Sequence, residues 1–446
     1  MMVSRKVYNH CNITMTMSYT IDYTIPEEVI KFFSDNLGKT LLIKGPPGSG
    51  KTAFALTLLV AMKGNGVYLS TRVDPETLYQ QTPWIREGLS PDNIVDATLS
   101  ERPTKTLQIR PLKYTNVPEF LKAVYTRTER IQNPIVVIDS WDAVASYTGY
   151  YDLEERQKLE HNICDFARKT NIRIIFIVEY TEQRPLDYLV DGVISITNET
   201  IDNRLIRKMI IQKLRGYPIK QPVYIFTLLN GVFKVFQPYK KQEVLNPIKP
   251  EPIPDISDNR ISTGIRQLDE IIGGYGRFNL FEGDHLPFEI LIQSLIINSA
   301  NLNRTVVFIS ERYKQPDFIT EVLPFIKDDS RVILVDGMDE LKEKKDELKG
   351  EKLKPIAIIY LEDFYEERDE FNRVLRDVCE NCIVLGYARE NGDVCREMEP
   401  IASTYIRTKV IFGVPCIYGI SPWTSIYAMT VDTGEGYPKI TLTQII

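Results

Sequence analysis

The chain has 446 residues, 43% of them hydrophobic, with a formal net charge of −6, enough for two or three ordinary domains, two by first reckoning, each able to bury a core. No apolar run reaches the roughly 18 residues of a membrane span, and residues 1–17 lack the apolar centre of a secretory signal and read as a loose tail, so a cytoplasmic protein without membrane association is expected. The acidic balance offers nucleic acid no overall electrostatic attraction.

Lys39–Lys44 reads as a short apolar strand running into Gly45-Pro46-Pro47-Gly48-Ser49-Gly50-Lys51-Thr52, and Thr52–Met62 then reads as a buried helix. A strand is predicted over Gly66–Ser70, a helix over Pro75–Glu87 and a strand over Asn93–Ala97. Val117–Ile131 has helical spacing, with Phe120, Leu121, Val124 and Tyr125 on one side. Ile135–Asp139 is a continuous apolar strand ending in a carboxylate, Leu153–Lys169 an amphipathic helix, and Ile172–Val178 another buried strand. Such strands alternating with helices predict a mainly parallel sheet covered on both faces, a three-layer α/β domain. From Asp191 the pattern changes: Gly192–Thr197, Arg204–Lys213 and Val223–Val235 read as strands separated by Asn, Gly and Pro turns, an antiparallel edge that closes a nucleotide-binding domain over residues 18–237.

Pro238, Pro247, Pro250, Pro252 and Pro254 make residues 238–257 a stiff linker and the expected domain boundary. The pattern then starts again over residues 258–446. Thr263–Gly274 is a short helix ending in glycines, Phe278–Glu282 a strand and Phe288–Ser299 an apolar helix. Thr305–Ser310, Arg331–Asp336, Pro355–Tyr360 and Cys382–Gly386 are further strands, and Leu341–Lys354 reads as a solvated helix face. Thr305–Ser310 matches the place of Val67–Ser70, and Pro355–Tyr360 that of Pro134–Asp139. This repeat at roughly 220–240 residues marks a diverged second copy. Cys379 and Cys382 have metal-like spacing, but a structural zinc site needs four ligands and no second close pair or nearby histidine exists, so two buried thiols at a helix end are the preferred reading.

Gly45–Thr52 matches G-x-x-x-x-G-K-[ST] in full, a match expected by chance on the order of once in a hundred such chains. A strand before it and a helix after it supply the setting of a phosphate loop, so ATP with Mg²⁺ is the expected ligand. Gly45, Pro46, Pro47, Gly48, Ser49 and Gly50 would turn backbone N–H groups around the phosphates, and the helix N-terminus adds partial positive charge. Lys51 would reach the β- and γ-phosphates, and the Thr52 hydroxyl would bind the magnesium. Asp139, at the end of its strand, faces the loop and would hold the magnesium's water shell.

The Asp139-Ser140 ending, Asp191-Gly-Val-Ile194, Ile211-Gln-Lys-Leu-Arg-Gly-Tyr-Pro218 and Gly231-Val-Phe-Lys-Val-Phe236 resemble the RecA superfamily in its KaiC-like branch. The resemblance covers about residues 25–237 well and 258–446 faintly, where Thr263–Gly274 looks like the entry segment of a second such domain. Two domains with one good phosphate loop also resemble the archaeal gas-vesicle regulatory protein D family. The resemblance implies two RecA-like domains and a homo-oligomer, a ring or dimer with ATP at the subunit interface. It makes Lys213 and Arg215 contacts to the γ-phosphate bound by the neighbouring subunit, with Arg215 stabilising the transferring charge.

Departures from that pattern narrow the function. A histidine that often follows the Lys213–Arg215 segment is absent, and Ile219 lies near its place. Thr71-Arg72 replaces the adjacent glutamates that polarise the attacking water; Asp74 and Glu76 are out of register, and Glu179 resembles a sensing position. Binding with slow hydrolysis is expected. In the second copy Phe288, Glu289 and Ile290 stand at the places of Gly50, Lys51 and Thr52, and Tyr360 at that of Asp139. Glu311 survives at the family's glutamate position, but a glutamate in place of the lysine repels phosphate. This half reads as a scaffold that contacts a protein partner, and the whole as a nucleotide-dependent regulator or assembly switch. The alternative is a recombinase-like DNA-dependent ATPase of DNA repair, whose candidate loop, Trp141–Asp152, has aromatics but no Lys or Arg. A kinase acting on its own second domain would need ATP in the second copy.

Overall fold

The computed structural model describes residues 23–446 apart from 64, 72, 97–116, 130, 148–152, 311–316, 338–339, 341–350, 368–374, 377, 379 and 390–391. The first sheet comprises β1 (Thr40–Lys44), β2 (Gly66–Ser70), β3 (Ile94–Asp96), β4 (Ile135–Asp139), β5 (Arg173–Val178), β6 (Gly192–Ile201), β7 (Arg204–Leu214), β8 (Val223–Thr227) and β9 (Lys234–Val235). Their order is β3-β2-β4-β5-β1-β6-β7-β8-β9, parallel as far as β6 and antiparallel from β6 to β9. Helices α1 (Glu27–Phe32), α2 (Lys51–Ala61), α3 (Pro75–Gln81), α4 (Val117–Thr128), α5 (Trp141–Tyr147), α6 (Leu153–Thr170) and α7 (Pro185–Leu189) belong to this half. Alternation along β1 feeds two cores: Leu41 and Ile43 pack with Phe54 of α2, while Leu42 packs with Ile163 of α6. Continuous apolar strands are thus buried on both faces, as a parallel sheet requires.

The second half comprises β10 (Phe278–Gly283), β11 (Val306–Ile309), β12 (Val332–Val335), β13 (Ile356–Tyr360), β14 (Ile383–Ala388), β15 (Thr404–Ile411), β16 (Val414–Ser421), β17 (Tyr427–Asp432) and β18 (Lys439–Gln444), with α8 (Arg266–Ile272), α9 (His285–Asn301) and α10 (Asp317–Val322) among its helices. Its order, β12-β11-β13-β14-β10-β15-β16-β17-β18, reproduces the first sheet strand for strand. The chain therefore folds as two α/β RecA-like domains, the second a structural copy of the first.

Three sequence readings change. Pro75–Glu87 divides into α3 and a 3-10 turn over Pro83–Glu87, because Pro83 has no N–H to continue the helix. Val223–Val235 breaks at Leu229–Gly231, where Asn230 takes φ 58°. Trp141–Asp152 is not a loop throughout: Trp141–Tyr147 is α5, and residues 148–152 lie outside the described residues. Trp141 is fully buried and donates to Glu160 at 2.9 Å, so it offers no surface for stacking a base. Residues 341–350 of the expected solvated helix, and Cys379, also lie outside the described residues. Cys382 is buried, and among the described residues no cluster of metal-ligating side chains forms. Among them, too, no helix is long and apolar enough to cross a membrane.

The two domains share a hydrophobic cluster in which Ile206, Ile225 and Phe236 meet Val414, Tyr418 and Ile445. Asp202, at the β6–β7 turn, accepts hydrogen bonds from Arg407 (2.6 Å) and Tyr418 (2.9 Å). Arg204 donates to the carbonyls of Thr424 and Gly419, both at 2.6 Å. The proline-rich stretch is extended and bound to the second domain, through Tyr239 N–H to the Gly413 carbonyl (2.8 Å) and Ile248 N–H to the Gly436 carbonyl (2.9 Å).

Candidate nucleotide-binding site

β1 leads directly into the glycine loop. Gly45 takes φ 156°, and a Cβ there would stand 2.0 Å from the Ile196 carbonyl oxygen, so the neighbouring strand leaves room only for glycine. Gly50 caps α2 with φ 107°, and the first turn of α2 holds no acidic residue to cancel its partial positive charge. Lys51 is buried and folds back over the loop, donating to the carbonyls of Gly45 (2.9 Å) and Pro46 (2.8 Å).

Thr52 donates its hydroxyl to Asp139 Oδ2 at 2.6 Å. Tyr68, buried on β2, donates to the same oxygen at 2.6 Å, and burial followed by the Asp139 charge pushes its phenol well above the ordinary range. Hydroxyl and carboxylate oxygens in this arrangement suit a hard divalent cation, and Lys51 with the α2 N-terminus suits the phosphates beside it. The neighbouring Ser49 and Ser140 hydroxyls are buried without hydrogen-bond partners, so the pocket holds further polar groups for a ligand to engage.

The two residues that follow β2 in the sequence, Thr71 and Arg72, are not carboxylates. Thr71 follows β2, and its hydroxyl is occupied by the Asp139 carbonyl (3.0 Å) and the Ser140 N–H (2.9 Å). Arg72 lies outside the described residues. Asp74 caps α3, accepting from Thr77 N–H at 3.0 Å and the Thr77 hydroxyl at 2.7 Å, and Glu76 is exposed. Glu179 follows β5 on the loop side, its N–H donating to Asp142 at 3.2 Å.

Lys213 and Arg215 stand away from their own loop. Lys213 is opposite Val193, which is opposite Leu42 in the middle of β1, and the Arg215 N–H donates to the Asp191 carbonyl (2.8 Å) beside Thr40 at its start, while the loop leaves its end. Lys213 donates to the carbonyls of Asp187 (3.0 Å) and Tyr188 (3.3 Å), and burial, with Arg215 beside it, lowers its pKa. Arg215 donates to the Tyr188 carbonyl at 3.0 Å.

Two site residues carried no sequence signal. Tyr68 reads as an ordinary core aromatic. Arg207 reads as an edge-strand charge, yet its Nη1 donates to the loop carbonyls of Gly48 (3.2 Å) and Ser49 (3.3 Å).

The second domain keeps the entry to a loop and loses the loop. Gly283 takes φ 124°, with an added Cβ 2.1 Å from the Thr408 carbonyl oxygen, the same close approach as at Gly45. But α9 already begins at His285, so Phe288, Glu289 and Ile290 lie inside a helix rather than at a loop's end. Phe288 stacks on Tyr387 with centroids 4.5 Å apart, and Tyr360, in the place of Asp139, is 2.6 Å from His285 Nε2. Aromatic rings occupy the position that phosphates would need. Glu311 lies outside the described residues.

Residues 29–215 match the family described as GvpD gas vesicle protein, P-loop domain. Protein GvpD2 of Halobacterium salinarum is 31% identical over 264 residues, 56% of this chain and 53% of that protein. Protein GvpD1 of the same organism is 30% identical over 284 residues, 60% of this chain and 52% of that protein. The chain spans about half the length of these curated relatives. The glycine loop, its lysine and its strand-end carboxylate all lie inside the matched span, so residues 29–215 form a GvpD-like P-loop domain.

Proposed function

We propose that the first domain binds ATP with Mg²⁺ at Gly45–Thr52 and Asp139, hydrolyses it slowly, and acts as a nucleotide-dependent switch in gas-vesicle regulation. One contrast carries the reading: the same fold occurs twice, with Thr52 bonded to Asp139 beside an open loop in one copy and Phe288 stacked on Tyr387 in the other. Bound Mg²⁺ would neutralise phosphate charge and orient it for attack. Lys51 and the loop N–H groups hold the phosphates, and Thr71 in place of a carboxylate leaves the attacking water without a strong base. Slow turnover suits a switch, whose states are biased by bound nucleotide. The second domain supplies a surface for a protein partner. Lys213 and Arg215, remote from their own loop, serve the site of a neighbouring copy in a homo-oligomer.

ATP turnover and sedimentation of the intact chain test this reading. Slow turnover, indifferent to single-stranded DNA, and assembly that changes with MgATP are expected. Strong stimulation by DNA would overturn the regulator reading in favour of a recombinase-like ATPase, and an unchanged monomer would remove the role of Lys213 and Arg215 in trans.

A further inference from the structure

Arg207 joins three parts of the molecule. It sits on β7, next to Ile206 of the cluster shared between the domains. Its Nη1 donates to the Gly48 and Ser49 carbonyls and to Asn198 Oδ1 (3.2 Å), and its Nε donates to the Ile446 carbonyl, just past β18 of the second domain. Close by, the Thr227 hydroxyl donates to the Gln444 carbonyl at 2.7 Å, and Ile445 packs against Ile206 and Ile225.

These contacts bear on the loop's chemistry. In a trans peptide the C=O and N–H point in opposite directions. Holding the Ser49 carbonyl therefore turns the Gly50 N–H away from Arg207, free to face an anion. Released, the same peptide planes could rotate carbonyl oxygens toward the phosphates, a repulsive arrangement. A cationic nitrogen with two N–H bonds, here Nη1, suits the holding of two successive carbonyls.

We propose that Arg207 is a positioning residue for the phosphate loop, held in place by the docked second domain, so that nucleotide binding in the first domain and docking of the second strengthen each other. The inference rests on the reading of Gly45–Thr52 as a nucleotide site. It gives the second domain, whose own loop is lost, a defined task in the first domain's site. Linkage makes the effect reciprocal: if docking tightens nucleotide, nucleotide tightens docking by the same factor.

Calorimetric titration of MgATP into the intact chain tests it, with Arg207→Ala, Arg207→Lys, Asp202→Ala and the Arg207→Ala/Asp202→Ala pair. Asp202 contacts Arg407 and Tyr418 of the second domain and does not touch the loop. Arg207→Ala is expected to weaken binding about tenfold and Arg207→Lys to recover most of it, since Lys keeps a charged donor. Asp202→Ala is expected to weaken binding about threefold alone and not further beside Arg207→Ala, because both changes remove one coupling. Hydrogen exchange over residues 440–446 should slow when MgATP binds the wild type and stay unchanged in Arg207→Ala. Unaltered affinity in Arg207→Ala, or two effects that simply add, would overturn the proposal. Absence of nucleotide binding by the wild type would instead overturn the loop assignment beneath it.

Discussion

Thr52 and Asp139 lie 87 positions apart in the sequence, yet they share a hydrogen bond of 2.6 Å. Parallel pairing of β4 and β1 with the intervening β5 brings the carboxylate to the end of the sheet where α2 begins. Asp139→Asn keeps the shape of the side chain and removes its charge. MgATP should then bind roughly tenfold more weakly, about 1.4 kcal/mol, and lose most of its dependence on magnesium. Titration with and without a chelator checks this, and a variant that keeps full magnesium dependence would place the metal elsewhere.

Glu282 is buried and accepts from Arg407 Nε at 2.8 Å and from the Tyr405 hydroxyl. Arg407 also binds Asp202, so it ties the second domain's core to the first domain. Arg407→Met should cost about 3 kcal/mol, since losing this cation leaves a buried carboxylate poorly compensated. Adding Glu282→Met should return much of that loss. Urea denaturation of both variants decides it; a single variant as stable as the wild type would show the pair to be dispensable.

Burial, followed by the charge of Arg389, lowers the pKa of His285 from the ordinary 6.5, although Glu289 stands 3.6 Å from its Nδ1. The fold therefore favours neutral imidazole. Its contribution to stability is fully present above the unfolded value and is lost as pH falls below about 6.5 toward the lower folded value. His285→Gln should flatten this part of the stability profile relative to the wild type. Parallel profiles for the two proteins would exclude the titration of His285 as a cause.

Glu289→Lys restores the residue type of the missing lysine but not the loop. Because α9 begins at His285 and Phe288 lies against Tyr387, the variant should bind no additional nucleotide. A second equivalent of ATP bound by this variant would mean that charge alone, rather than helix extension, closed the second site.

The first domain was largely legible because its signals are local. A strand, a glycine loop and a helix occupy one short stretch, and Ile135–Asp139 is apolar up to its carboxylate. The duplication was legible where buried strands repeat. It was less so in Thr404–Gln444, where β15 to β18 carry no motif and depend on pairing with one another. The roles of Tyr68 and Arg207 were hidden for the same reason: their partners are distant in sequence and brought close by sheet order. Alignment to the loop placed Glu289 at the position of Lys51. It did not foresee that the helix itself would absorb the loop, because Leu286–Ile290 suits a helix as well as a turn.

We propose one working nucleotide site in a chain of two similar domains. Calorimetric titration of MgATP into the intact chain and into Lys51→Ala tests it most directly. One nucleotide per wild-type chain, and none in Lys51→Ala, is the predicted result; undiminished binding in Lys51→Ala, or two nucleotides per wild-type chain, would contradict it.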